Sequence, residues 1–212
     1  MKTGDFINAL VEDQGIRQPS IGLGLSRRMA AGLAVSLVIF FTSLGVRADF
    51  ASAVFHPHVV FKFMFAVSLF GSLWPLAVQA VRPERLIVPL LRWLVVPLLV
   101  LGGGVVFQLT TSPADYWLSG MVGRYPGACL VNIPVLAIGP LAVLLLMLRS
   151  GAPTQPVLSG AVAGAVSGGL AAFLYALHCP DDSALFVALW YLLAIGIVTA
   201  AGAVIGARYL RW

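Results

Sequence analysis

Residues 177–191 read LHCPDDSALFVALWY and gather a histidine, a cysteine and two aspartates between two apolar runs. His178, Cys179, Asp181 and Asp182 carry imidazole, thiol and carboxylate groups, the side chains that bind soft and borderline metal ions. Their spacing matches no paired-cysteine zinc module, and neither Cys129 nor Cys179 lies in a C-x-x-C. Cys179 follows an apolar run that reads as a helix, so it sits near a helix C-terminus and beside two carboxylates. Both fields are negative. They attract cations, and they predict a thiol of raised pKa and poor nucleophilicity. A second polar cluster, FHPHVVFK at 55–62, holds His56 and His58, which read either as interfacial anchors or as further ligands for the cysteine site. Lys62, one turn deeper, is expected to snorkel outward.

The surrounding composition says what must position these groups. Of 212 residues 60% are hydrophobic and only 10% charged, against about a quarter in a soluble domain. A spanning helix needs about 20 mostly apolar residues. Six runs qualify, at roughly 29–47, 58–80, 88–109, 131–149, 157–177 and 185–206. They are continuous rather than alternating, so the expected fold is all-α: a polytopic membrane protein of six transmembrane helices, surrounded by lipid. Residues 1–28 form an N-terminal tail, 29–206 the bundle and 207–212 a C-terminal tail. With the N-terminus inside, Lys2, Arg17, Arg27, Arg28, Arg82, Arg85, Arg92, Arg149, Arg208 and Arg211 face inward, and only Arg47, Lys62 and Arg124 face outward. This bias puts both termini in the cytoplasm. It also accounts for the net charge of +5 without direct nucleic-acid binding. Arg27-Arg28 and the following apolar run imitate a signal peptide, but the run is too long for a cleaved one.

Two spans separate Cys129 from Cys179, so the two cysteines share a face whichever way the protein is oriented. In the topology above that face is the outer, oxidising one. The spans joined by RSGAPTQP (149–156) are expected to be antiparallel neighbours, which brings Cys179 to face Cys129. A structural disulfide, two inert thiols and a sensor all remain open on these grounds.

The tail begins MKTGDFINALVEDQG, in which Phe6, Ile7, Leu10 and Val11 recur on one helical face, with Glu12 and Asp13 off it. Such a stripe needs a surface, and its acidic flank favours a protein groove over a lipid one. Gly160, Gly164 and Gly168 in the fifth span, with Gly202 and Gly206 in the sixth, read as packing seams. No phosphate-binding loop, dinucleotide turn, nucleophile elbow or H-E-x-x-H motif appears, so no enzyme is expected. No span carries a central acid, which argues against a pump or transporter.

The opening MKT-DFI-AL, APTQP at 152–156, the glycine-rich run into YALHCPDDSALFVALWY at 175–191 and the terminal LRW resemble the NrsF-type integral-membrane anti-sigma factors over the whole chain. The resemblance implies a non-enzymatic regulator in the bacterial inner membrane. It would sequester an extracytoplasmic-function sigma factor and release it under heavy-metal or oxidative stress sensed at Cys129 and Cys179. It requires no cofactor, only transient heavy-metal binding at that pair. The tail residues Phe6, Ile7, Leu10, Val11, Glu12 and Asp13 would then meet the sigma factor. A membrane thiol oxidoreductase, and a small transporter or structural subunit, are the rival classes.

Overall fold

A computed structural model of the chain describes residues 21–81 and 92–211. The tail stripe from Phe6 to Asp13, and Arg82 and Arg85, lie outside the described residues. Within them the fold is all helical, with no strand. The helices are α1 (Ile21–Ser43), α2 (Phe50–Ala53), α3 (Pro57–Ala80), α4 (Val95–Thr111), α5 (Asp115–Val122), α6 (Pro126–Ser150), α7 (Pro156–Ala176) and α8 (Ala184–Tyr209). Among the described residues five helical stretches are long and apolar enough to cross a membrane, namely those of α3, α4, α5–α6, α7 and α8. Helix α1 carries the run expected at 29–47 but is not one of the five. It starts at Ile21, inside the stretch expected to be tail, and so takes in Ser26, Arg27 and Arg28. The stretch between the runs expected at 88–109 and 131–149 contains α5 and the first turn of α6.

Proline explains several starts. Pro57, Pro126 and Pro156 open α3, α6 and α7 at a position where the missing N–H has no helical partner to lose. Glycine explains the packing. Helix α7 is the most enclosed element, with α8, α6 and α3 around it, whereas α4 rests mainly on α3 and is the least buried of the long helices. A Cβ on Gly160 would strike the Gly202 carbonyl. One on Gly164 would strike the Val198 carbonyl and come 2.7 Å from the Thr199 Cα, and one on Gly206 would come 2.6 Å from the Pro156 carbonyl. Gly168 is looser, 3.2 Å from Ile195. The expected seam therefore forms, backbone against backbone, between α7 and α8. A second seam has no obvious sequence signature: Gly32 of α1 meets Gly139 and Pro140 of α6, and Ser36 Oγ donates to the Leu136 carbonyl at 2.6 Å across it.

The seam can be checked by thermal unfolding of the detergent-solubilised protein. Gly164→Leu forces α7 from α8 and should lower stability by about 1–3 kcal/mol or more, the usual cost of overpacking. Gly196→Ala in α8, where an added Cβ meets nothing within 4 Å, should leave stability unchanged or raise it by up to about 1 kcal/mol.

Candidate functional site

The loop between α7 and α8, residues 177–183, folds inward over the ends of the helices and is gripped from four sides. From the α1–α2 connection, the Arg47 backbone N–H donates to the Leu177 carbonyl at 3.0 Å, and its guanidinium donates to Asp182 Oδ2 at 2.7 Å. The same guanidinium binds Asp49, which holds that carboxylate below its usual pKa range and raises that of Arg47. From α3, Lys62 donates to the Cys179 carbonyl at 2.8 Å and the Asp181 carbonyl at 3.1 Å, and its Nζ lies 2.6 Å from Asp182 Oδ1. That last approach is an ion contact rather than an aligned hydrogen bond, since Oδ1 has no hydrogen-bond donor.

From α4, Gln108 accepts from the Ala184 and Leu185 N–H groups at 2.6 and 3.3 Å and donates to Ser183 Oγ at 2.8 Å, closing the first turn of α8. From the α5–α6 joint, the Arg124 and Tyr125 N–H groups both donate to the Asp181 carboxylate at 3.1 Å. That carboxylate neutralises the free N–H groups just before α6. Gly123 makes the approach feasible: its φ of +66° suits glycine, and a Cβ there would collide with the Phe186 ring and crowd Asp181 at 3.2 Å.

Beneath the loop lie the thiols. Cys129 in the first turn of α6 and Cys179 are both free and fully buried, in hydrogen-bonding contact with each other. The expected juxtaposition is realised without a disulfide. The expected acidity is not. Cys179 is lowered to about 7, because Cys129 donates a hydrogen bond to its sulfur and the Lys62 ammonium adds its field, against the opposing effects of burial and the Asp181 charge. The Asp181 charge counts for least because that carboxylate is turned to the α5–α6 joint. The Tyr175 hydroxyl contacts Cys129. Tyr191 completes the chamber, fully buried, with its hydroxyl turned to the Cys179 sulfur. It is turned inward by a π-helical segment, Val187–Tyr191, which also aims the Trp190 indole N–H at the Met121 carbonyl, 2.9 Å away.

The other sequence candidates fall elsewhere. His178 Nδ1 sits 3.0 Å from the Gly45 carbonyl, which can only accept, so this nitrogen carries the proton. His56 and His58 are exposed at the start of α3, outside the thiol chamber. Among the described residues no group of three or more His, Cys, Asp or Glu is placed to hold a metal ion. Lys62 is the clearest departure. It does not snorkel outward: it is 0% exposed and points into the bundle, 6.0 Å from the centre of the Tyr191 ring. Gln108 and Arg47 were not singled out in the sequence. The available signal was that each interrupts or flanks an apolar run, where a polar side chain persists only if partnered.

The acidity is testable by ultraviolet thiolate absorbance. Cys179 should titrate near pH 7, and Cys129→Ala should move that step up towards the ordinary thiol value of 9.0, because it removes the donor that most stabilises the thiolate. A folded pKa below the unfolded one stabilises the fold above about pH 9, and this contribution is lost as the pH falls through about 7.

Comparison with known proteins bears on this arrangement. No solved structure matches the chain. Two relatives align over the whole of both chains: the anti-sigma-F factor NrsF of Caulobacter vibrioides, 34% identical over 218 residues, and the probable anti-sigma-F factor NrsF of Azospira oryzae, 30% identical over 222 residues. The family model described as negative regulator of sigma F matches residues 10–212. With nearly the whole chain inside that model and the thiol loop at the centre of its fold, the chain belongs to the NrsF family.

Proposed function

We propose that this chain is an inner-membrane anti-sigma factor that sequesters an extracytoplasmic-function sigma factor and releases it when heavy-metal or oxidative stress acts on Cys129 and Cys179. Family membership and the names of the full-length relatives support the regulatory part. The observation that carries the sensing part is the pairing of two free thiols in one buried chamber. A soft divalent cation bridging them displaces their two protons. An oxidant takes two electrons and two protons to leave a disulfide. Either event changes the distance that Cys129 and Cys179 must keep, and so disturbs the joint between α6 and the loop.

In this reading α1 is the first of six spans and both termini are cytoplasmic, as the distribution of arginine favours. The thiols then lie at the outer end and the tail at the inner one, separated by about 30 Å of hydrocarbon. The output runs through the tail, where Phe6, Ile7, Leu10 and Val11 contribute an apolar anchor and Glu12 and Asp13 an acidic flank for a basic sigma surface. The lowered pKa of Cys179 lends some weight to a thiol oxidoreductase, but full burial of both sulfurs opposes turnover with an external dithiol.

The test is sigma-dependent transcription in cells exposed to cadmium or an oxidant. Cys129→Ser and Cys179→Ser should each abolish induction, and the double variant should be no worse than either single one. A double variant clearly worse than both would mean two separate sites. Independently, Phe6→Ala with Leu10→Ala should raise unstressed transcription severalfold and weaken co-purification of the sigma factor, since burying each apolar side chain is worth about 1.5–3 kcal/mol. Full silencing by that variant would remove the tail as a principal contact.

A further inference from the structure

We infer that Lys62 is the positioning residue of the thiol site: its buried ammonium clamps the Cys179–Asp182 loop over the two thiols, and breaking that clamp is the step that opens the outer end of the bundle. Three oxygens of one short loop converge on Nζ, the Cys179 carbonyl, the Asp181 carbonyl and Asp182 Oδ1. Two of them belong to the backbone on either side of Pro180, so the ammonium sets the path of the main chain that carries the Cys179 sulfur. The third is shared, because Asp182 presents its other oxygen to Arg47. The clamp thereby ties α3 to the α1–α2 connection through a single carboxylate. Lys62 has no exposed surface, so it has no water to fall back on when the loop moves. An ammonium in this position has two states of acceptable energy, fully clamped or exposed to water, and little in between.

This makes the clamp sensitive to what happens at the sulfurs. A metal ion or a disulfide at Cys179 must shift the loop, the Cys179 carbonyl moves with it, and Lys62 is left short of acceptors. Helix α3 must then turn to hydrate the ammonium. Its far end, Val81, packs its carbonyl against Gly151 in the turn between α6 and α7, so that a rotation of α3 reaches the opposite face of the bundle. The inference deepens the anti-sigma reading by naming the residue that links the thiols to the helices. Its primary readout does not depend on that reading.

The experiment uses the full chain in membrane vesicles, with a bulky polar maleimide added from the outer side, and measures the rate of thiol labelling. Lys62→Met should raise that rate about a hundredfold, equivalent to about 2.8 kcal/mol of opening free energy. Asp182→Asn, which keeps the shape and removes the charge, should raise it about tenfold. The double variant should label no faster than Lys62→Met, because both act on one clamp. Gly164→Leu, which destabilises the bundle away from the site, serves as the comparator and should leave labelling much slower than Lys62→Met at an equal loss of melting temperature. Labelling at the parental rate in Lys62→Met would overturn the inference, as would equal labelling in the comparator. If Lys62→Met does not accumulate in the membrane, Asp182→Asn decides: parental labelling there overturns the clamp. Open thiols with unchanged sigma-dependent transcription would uphold the clamp and count against the anti-sigma reading instead.

Discussion

One buried ammonium organises the thiol-bearing end of this protein. Lys62 sits with no exposure on a helix long and apolar enough to cross a membrane, in surroundings where an uncompensated charge costs several kcal/mol. The chain has to bring oxygens to it, and the 179–182 segment is what arrives. Once that loop is pulled inward, much else follows from geometry. The Cys179 sulfur is carried under the loop to Cys129, the Asp181 carboxylate is left facing the unsatisfied N–H groups before α6, and Asp182 is left to bridge Lys62 and Arg47. Arg47, Lys62 and Arg124, the cations expected on the outer side, all end up holding this one loop, two through side chains and one through its backbone.

The glycine seam makes the same arrangement feasible from below. Helices α7 and α8 approach until backbone touches backbone at Gly160, Gly164, Gly202 and Gly206, so the loop joining them can be short and strongly constrained. Their departure at the loop end is shaped by the π-helical segment, which turns Tyr191 into the chamber and lets Trp190 anchor α5. A close-packed seam tolerates small sliding or rotation better than gradual deformation, because interdigitated surfaces hold discrete arrangements. A polar loop held by so many partners and resting on such a seam is therefore suited to pass a change at two sulfurs into helix positions rather than absorb it locally.

The chemistry of the thiols depends on which neighbours face them. Two aspartates beside Cys179 in the sequence do not surround its sulfur with negative charge, because one is turned to the α5–α6 joint and the other is neutralised by two cations. What the sulfur meets is a donor thiol and an ammonium. The groups that look metal-competent in sequence are each committed to holding the loop: His178 to Gly45, Asp181 to the start of α6, Asp182 to Lys62 and Arg47. Together they define the shape of the chamber in which the cysteines lie.

Composition and periodicity alone determined that the chain is helical and built of membrane-length apolar runs, that the two cysteines share one end, and that the fifth and sixth apolar runs meet along glycine. Each of these follows from properties that act locally or count crossings: the cost of an unpaired backbone in lipid, the parity of spans, and the absence of a Cβ. The family resemblance was legible in the HC block for the same reason, since it is contiguous. Only the tertiary structure decided that Lys62 points inward, that Gln108 on α4 closes the start of α8, that α1 starts at Ile21, and that Cys179 is acidified. Those outcomes are set by residues far apart in the chain, where the direction of a side chain and the sign of the field it feels depend on what packs opposite. Nearest neighbours in sequence predicted a thiol beside two carboxylates; the fold turned the carboxylates away and put a lysine and a second thiol in their place.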